Sequence, residues 1–246
     1  MRAILTFHSI DASGSVLSYD SHLFDTLLAD LRQKAIPICN LDTLLANDTK
    51  NGIAITFDDG MKSVHENALP ILREYQAPAH VFLTTQVIDG GSMGPRQPVN
   101  IPSFDMLNWR EVEALHRDGI RIENHTHTHP DMRSLTDHQI AEECGKADQI
   151  IMSRLGRKPR YFAYPFGYHN QMTCDFVRCR YSGAVTTELR KLSIDEDTAV
   201  LPRLDTYYLR SRTHIGLIDS PVMHMYLMLR HKIRTLRNKT YTVPRS

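Results

Sequence analysis

The sequence lacks several features that would assign it to particular classes of protein. Its four cysteines form no Cys-x-x-Cys pair, which excludes a zinc knuckle and a thioredoxin-like motif. No run of about 18 apolar residues is present, so no membrane-spanning helix is predicted. The first residues hold one Arg and only a few apolar residues before His8, which is unlike a signal peptide. We therefore expect a reduced, cytoplasmic protein.

The sequence also lacks a charge excess. It has 29 Lys and Arg against 28 Asp and Glu, a net charge of +1, which argues against a general nucleic-acid-binding protein. Apolar residues make up 41% of the chain, which is too many for a disordered protein. The length of 246 residues is enough for one large domain or two small ones.

Short apolar runs alternate along the chain with longer amphipathic segments. The runs that predict buried strands cover residues 3–7, 53–57, 79–83, 120–122, 161–164 and 184–187. This alternation is typical of a parallel sheet with crossover helices, and the number of units favours a closed or nearly closed α/β barrel. Residues 85–103, with three Gly and three Pro, predict a long loop that is either functional or a surface excursion.

Residues 221–246 are expected to follow a catalytic barrel formed by residues 1–220. Ser220 and Pro221 have the residue types of a helix start. The predicted helix has an apolar stripe and, in its second half, a group of basic residues without an acid. The stripe comprises Val222, Tyr226, Leu229, Ile233 and Leu236, and the basic residues are Arg230, Lys232, Arg234, Arg237 and Lys239. This pattern favours packing of the stripe on the barrel, with peripheral contact to an anionic membrane surface as the alternative.

Polar residues follow four of the predicted strands, at the edge where parallel α/β folds build their active sites. They are His8, the Asp58-Asp59-Gly60 segment, residues 123–130 (ENHTHTHP) and the Pro165-Phe166-Gly167 segment. Two adjacent carboxylates are costly beside a buried strand unless a cation is present, although Asp-Asp-Gly is also a good turn sequence. The four clusters could converge on one pocket.

Three histidines within five residues predict a metal site. If the segment is extended, His125, His127 and His129 share a face; if it turns, His125 and His129 converge and His127 points elsewhere. Two imidazoles with one carboxylate are a usual ligand set for a catalytic zinc-type site. The residues alone leave both arrangements open.

These segments resemble three motifs of the polysaccharide deacetylase family (NodB-type, carbohydrate esterase family 4). The matching residues are 56–60 (TFDDG), 124–130 (NHTHTHP) and 162–167 (FAYPFG), in the family's order. The resemblance runs from about Ala3 to Asp205 and implies a distorted (β/α) barrel with seven or eight strands. It also implies hydrolysis of an N-acetyl or related acyl group on an amino sugar. The third motif is similar to that of a permuted subset that deacetylates exopolysaccharide such as poly-N-acetylglucosamine.

The resemblance implies a role for each matching residue. Asp59, His125 and His129 would bind one divalent metal ion, with zinc as the default and cobalt, nickel or iron as alternatives. Asp58 would be the general base, and the backbone N–H of Phe166 would stabilise the oxyanion. We further expect Pro165 and Trp109 to contact the saccharide.

The sequence departs from the common family pattern in two places. Ala163 stands where many members have an arginine that pairs with the base; Arg203 is the candidate substitute and Arg160 the alternative. The late-strand histidine that serves as general acid in many members has no clear counterpart. Because a barrel is cyclic, we predict that His8, at the end of the first strand, is the acid, with His214 as the alternative.

Two other functions stay open. One is an amidohydrolase-like hydrolase that uses His125, His127 and His129 together. The other is a non-catalytic saccharide-binding protein, which the alanine at position 163 would support. The sequence does not indicate whether the substrate is a polymer, an oligosaccharide or a lipid-linked saccharide, nor the oligomeric state.

Overall fold

The computed structural model describes residues 1–90 and 103–240, with side chains as far as residue 234. Most of the loop predicted over residues 85–103 therefore lies outside the described residues. Among the helices described, none combines the length and the hydrophobicity that crossing a bilayer requires.

The described residues contain a parallel sheet of seven strands and a separate pair of very short strands. In chain order the strands are β1 (Arg2–Phe7), β2 (Ser9–Ile10), β3 (Ser18–Tyr19), β4 (Gly52–Asp59), β5 (Ala79–Leu83), β6 (Arg121–Asn124), β7 (Tyr161–Ala163), β8 (Gly183–Val185) and β9 (Leu204–Asp205). The sheet order is β8-β7-β6-β5-β4-β1-β9, and every neighbouring pair is parallel. The carboxyl ends of these strands therefore share one rim.

Residues 201–205 join the two edges of the sheet. Leu201 donates its N–H to the carbonyl of Ala184 and accepts from the N–H of Thr186, each at 2.8 Å, on the β8 side. A few residues later β9 pairs with Leu5 and Thr6 of β1. The sheet thus curls into a nearly closed barrel, which confirms the predicted distorted (β/α) barrel, here with seven strands.

Helices connect the strands and cover the outside of the barrel. They are α1 (Ser21–Gln33), α2 (Leu41–Leu44), α3 (Leu69–Glu74), α4 (Trp109–Arg117), α5 (Asp137–Leu155), α6 (Gln171–Arg180), α7 (Arg212–Gly216) and α8 (Pro221–Thr240). The longest connecting helix, α5, begins with a capping box between Thr136 and Gln139 and ends at Gly156, whose φ of 68° is easily adopted only without a side chain.

The side-chain alternation of the strands separates the inside of the barrel from the layer under the helices. In β4, Ile55 and Phe57 belong to the large core cluster that includes the helices. Ala54, by contrast, packs with Phe82 of β5 in a smaller cluster, which joins inward-facing strand residues with Leu41 and Leu44 of α2. The same alternation directs the side chain of Asp58 into the mouth of the barrel.

Helix α8 contacts the barrel through a different side from the one predicted. Met223 and Leu227 are buried in the large core cluster, whereas Val222, Leu229 and Ile233 are 59%, 57% and 40% exposed. The prediction that the stripe packs on the barrel is therefore wrong for Val222, Leu229 and Ile233, whereas Tyr226 does pack partly against the core. Leu236 lies outside the side chains that the structure describes.

Contacts with neighbouring segments fix the rotation of α8. The ring of Tyr226 stacks on that of His214 in α7, with centroids 5.3 Å apart, and Arg234 pairs with Asp205 of β9 at 3.6 Å. These anchors turn Met223 and Leu227 toward the core. Because the buried residues of α8 share a cluster with the barrel, the division at residue 220 stays a prediction.

Candidate active site

The carboxyl ends of β1, β4, β6 and β7, with the loops that follow them, supply most of the predicted site residues. Arg203 instead precedes β9, and Trp109 is the first residue of α4. The backbone there is unusual, since Asp59, Thr126, His129 and Phe166 all have φ between 58° and 72° although none is glycine. Such left-handed conformations cost of order 1–3 kcal/mol each and concentrate at functional sites. The backbone strain at these four residues therefore lowers the stability of the fold and sets the direction of their side chains.

Asp59, His125 and His129 bring one potential ligand atom each into a small volume. These atoms all lie within 4.8 Å of one another. Oδ1 of Asp59 is 3.4 Å from Nε2 of His125 and 3.6 Å from Nε2 of His129. Ligands at about 2.0–2.2 Å from a tetrahedral zinc ion are about 3.3–3.6 Å apart, so the spacing and the donor types fit a divalent metal.

The orientation of His125 comes from the neighbouring strand. Its Nδ1 lies 2.8 Å from the carbonyl oxygen of Ala163 in β7. When Nδ1 carries the proton for this bond, Nε2 keeps its lone pair and faces Asp59. Ala163 therefore contributes through its backbone, whatever its side chain.

A turn after β6 makes His125 and His129 converge. The hydroxyl of Thr126 accepts from the N–H of His129 at 3.0 Å, and the N–H of Thr126 donates to Oδ1 of Asn124 at 2.7 Å. Asn124 is itself held by the carboxylate of Asp148 in α5 at 2.7 Å. The rings of His125 and His129 consequently lie with their centroids 4.8 Å apart.

His127 points away from this group. Its Nδ1 lies 2.9 Å from the hydroxyl of Thr85, and its backbone N–H donates to the carboxylate of Glu143 at 3.0 Å. The metal-ligand group found among the described residues does not include His127. The extended arrangement of three histidines is therefore not the one that the chain adopts.

Asp58 forms a buried ion pair with Arg203. The guanidinium donates to both carboxylate oxygens, at 2.7 and 2.6 Å, and the two side chains are only 5% and 1% exposed. The Nε of Arg203 donates to the carbonyl of Thr186 at 2.9 Å, which fixes the orientation of the guanidinium. Arg160, the alternative partner, instead pairs with Asp42 near the surface at 2.9 Å.

Electrostatics keep the carboxylates of the site ionised. Burial alone would raise the pKa of Asp58, but the charge and hydrogen bonds of Arg203 outweigh burial and lower the pKa below its ordinary value. Burial likewise opposes ionisation of Asp59, but a hydrogen bond with His125 and the charges of His129 and His8 hold its pKa well below normal. Both groups are therefore anions near neutral pH.

The two histidines of the group titrate differently. Burial, assisted by the charge of His125, lowers the pKa of His129 to about 4, so His129 is neutral near pH 7 as a metal ligand must be. Burial also disfavours the charged form of His125, but its hydrogen bond to Asp59 and the charge of Asp58 raise its pKa overall. Protons therefore compete for the ligand group mainly at His125.

The two candidates for the general acid lie in different surroundings. His8 follows β1, is partly buried, and its charge contributes to lowering the pKa values of Asp58 and Asp59. His8 therefore lies at the same rim as the carboxylates. His214, by contrast, stacks on Tyr226 of α8.

Phe166 lies beside the ligand group. Its ring contacts that of His129 edge-on, with centroids 4.5 Å apart. The next residue, Gly167, has a φ of 72°, and a Cβ at this position would lie 2.2 Å from Oγ1 of Thr187. Only glycine fits there without displacing a neighbour. Pro165 opens this turn with a buried side chain, and its contact with saccharide stays a prediction.

The prediction for Trp109 is wrong. Its side chain is 8% exposed and belongs to the large core cluster, with the guanidinium of Arg154 5.2 Å from the ring centre. As the first residue of α4, Trp109 packs inward and cannot wall a saccharide site.

Sequence reasoning missed the residues that support the histidine turn from α5. Glu143 accepts from the N–H groups of His127 and Thr128, and Asp148 holds Asn124. Asp148 carries a signal in the sequence, because it is a charged residue on the apolar side of α5, four residues after Cys144. Glu143 lies on a polar side of the helix and carries none.

Comparisons with known protein sequences agree with this geometry. The sequence model of the family described as polysaccharide deacetylase matches residues 46–179. YxkH of Bacillus subtilis (strain 168) is 25% identical over 209 residues, which cover 82% of this chain and 70% of YxkH. The poly-beta-1,6-N-acetyl-D-glucosamine N-deacetylase of Staphylococcus aureus (strain MRSA252) is 26% identical over 174 residues, or 65% of this chain and 53% of that protein. The chain thus spans about half the length of the staphylococcal relative.

Solved structures show the same fold. The Streptococcus pyogenes deacetylase PplD, solved in complex with acetate, superposes with a TM-score of 0.76 at 22% identity, covering 89% of this chain and 97% of PplD. IcaB from Ammonifex degensii gives a TM-score of 0.70 at 22% identity, covering 87% of this chain and 96% of IcaB. At these identities the likeness concerns the fold alone.

Proposed function

The chain belongs to the polysaccharide deacetylase family, and on that premise we propose that it is a metal-dependent hydrolase that removes an N-acetyl or related acyl group from an amino sugar. The substrate class that we propose is a saccharide containing N-acetylglucosamine, because the staphylococcal relatives are named for a β-1,6-linked N-acetylglucosamine polymer. The observation that carries the proposal is the convergence of Asp59, His125 and His129 beside an ionised Asp58.

Asp59, His125 and His129 would hold one divalent ion, for which zinc is the default and cobalt, nickel and iron are alternatives. When bound, such an ion lowers the pKa of water to roughly 7 and polarises an acyl oxygen, which supplies a nucleophile for amide hydrolysis at neutral pH. The three residues provide the nitrogen and oxygen donors that this chemistry needs and leave further positions for water and substrate.

Asp58 would accept the proton of the attacking water. It is the neighbour of Asp59 in the chain, but its two oxygens face Arg203 and it is not part of the ligand group. Because Arg203 holds the pKa of Asp58 low, the carboxylate is ionised before reaction. Arg203 is thus a positioning residue that keeps the base charged and fixes its orientation.

His8 would donate a proton to the leaving amine. Support comes from its position at the carboxyl end of β1 and from its electrostatic contribution at both Asp58 and Asp59. The backbone N–H of Phe166 would donate to the oxyanion that forms on the acyl carbon, and the edge-on contact with His129 keeps this residue next to the ligand group.

The geometry does not favour the two alternative functions. A hydrolase that uses three histidines would need His127, whose ring is engaged with Thr85 instead. The main support for a non-catalytic saccharide-binding protein was the alanine at position 163, but Arg203 supplies the guanidinium that pairs with Asp58.

Acetate release tests the proposal. The metal-depleted protein is incubated with β-1,6-linked N-acetylglucosamine oligomers and with other acylated amino sugars, with and without added zinc, cobalt, nickel or iron(II). We expect acetate only when metal is added, and none from the His129→Ala variant. Binding of oligomers without acetate release under every condition would instead identify a saccharide-binding protein. The cytoplasmic location stays a prediction.

A further inference from the structure

Helix α8 has two apolar sides, and only one of them packs on the part of the barrel that the structure describes. Met223 and Leu227 face the core. The exposed side, here called the outer stripe, consists of Val222, Met225, Met228, Leu229 and Ile233, which are 40–69% exposed. Spacings of three and four residues place these five on one side of the helix, roughly opposite the buried pair.

The charge on this helix has one sign. Residues 221–240 contain five Lys and Arg and no Asp or Glu, in a protein whose overall net charge is +1. Lys232 is exposed within the outer stripe, one turn after Met228, and Arg230 lies against the rings of Tyr208 and Tyr226. Arg234 is paired with Asp205, so it anchors the helix, and its charge is largely neutralised by that carboxylate.

We propose that the outer stripe of α8 binds the surface of a bilayer that contains anionic lipids, with the helix lying in the plane of the interface. An exposed apolar stripe on a helix that has basic and no acidic residues fits that environment. The stripe would enter the acyl boundary, and the long side chain of Lys232 would extend from it to the lipid phosphates. A second copy of the chain fits poorly, since two such helices would bring like charges together. Nucleic acid would not cover the apolar stripe.

The surface lies close to the edge of the barrel that carries the site. Arg234 contacts Asp205, the last residue of β9, and β9 pairs with β1, which leads into His8. Binding through α8 would therefore hold the rim of the barrel near the bilayer. The inference does not depend on the proposed function, because it concerns binding and not turnover.

Cosedimentation with lipid vesicles tests this surface. The full chain is mixed with vesicles of phosphatidylcholine alone or of phosphatidylcholine with phosphatidylglycerol, at low and high salt. We expect binding to the anionic vesicles that weakens at high salt. The Leu229→Glu variant should bind about 10–150-fold more weakly, which is what losing the burial of one leucine, about 1.5–3 kcal/mol, amounts to. Lys232→Ala should bind about fivefold more weakly.

Matched controls come from exposed residues elsewhere. Ile194→Glu changes another exposed apolar residue, 73% exposed, and Lys50→Ala removes another exposed charge; neither should alter vesicle binding. Thermal unfolding checks that each variant is folded. Failure of the wild-type chain to bind anionic vesicles would overturn the inference, as would equal binding to both kinds of vesicle or full binding by Leu229→Glu. A lipid-free dimer that Leu229→Glu dissociates would assign the stripe to a second copy.

Discussion

Replacing Arg203 by methionine should destabilise the protein strongly, because it leaves the carboxylate of Asp58 buried without a counter-charge. The two side chains are 1% and 5% exposed and share two hydrogen bonds of 2.7 and 2.6 Å. Removing one partner of a buried ion pair typically costs about 3–5 kcal/mol. We expect a loss of that size in the free energy of unfolding near pH 8.

The loss should depend on pH in a defined direction. In the wild type the pKa of Asp58 is lowered, so the pair stabilises the fold above the ordinary aspartate pKa and this contribution disappears as the pH falls through the folded-state value. Without Arg203, burial raises that pKa, so the variant is least stable at high pH and recovers when Asp58 protonates. The difference between the two proteins should therefore be largest near pH 8 and smaller near pH 5.

Denaturant unfolding at both pH values measures this effect, and Arg160→Met is the matched control. Arg160 also pairs with an aspartate, but its side chain is 50% exposed, so its loss should cost about 0–1 kcal/mol. Adding Asp58→Asn to Arg203→Met should recover part of the lost stability. If Arg203→Met costs no more than Arg160→Met at either pH, the buried pair does not stabilise the protein as argued.

Three further predictions concern individual residues. His8→Ala should lower acetate release about 10²–10⁴-fold with unchanged metal content, as expected for loss of a general acid; a wild-type rate would transfer that role to His214. His127→Ala should retain nearly all activity in the same assay, and inactivation would restore the three-histidine set. Gly167→Ala should lose about 1–2 kcal/mol from left-handed backbone strain and about 1–3 kcal/mol from overpacking against Thr187, measured by thermal unfolding; an unchanged melting temperature would contradict this close approach of Gly167 to Thr187.

Much of the fold was predictable because several buried apolar runs are directly followed by a polar cluster. Each buried run that ends in a polar cluster proved to end at the same rim, since all neighbouring strands of the sheet are parallel. Local spacing could not decide how the histidine segment turns. That depends on Thr126 and on Asn124, which is held by Asp148, 24 residues further along the chain in α5.

The partner of Asp58 illustrates a second limit of sequence reasoning. Arg203 and Asp58 are separated by 145 residues, and they meet only because residues 201–205 close the barrel. The sequence offered both Arg203 and Arg160 as partners of Asp58, and only the closure of the sheet decides that Arg203 is the partner. The sequence likewise could not predict which side of α8 faces the barrel. The helix has two apolar sides, and its anchors, Asp205 and His214, lie in other segments.

Metal content and turnover, measured together in three proteins, test the central claim most directly. We expect the wild type to bind about one divalent ion per chain, because the described residues contain one ligand group, Asp59, His125 and His129. His129→Ala should lose the ion and the activity. Asp58→Asn should keep the ion, because Asp59, His125 and His129 are unchanged, and lose turnover about 100-fold or more, because the base is lost. Loss of metal in Asp58→Asn equal to that in His129→Ala would contradict the division between a ligand carboxylate at Asp59 and a free base at Asp58.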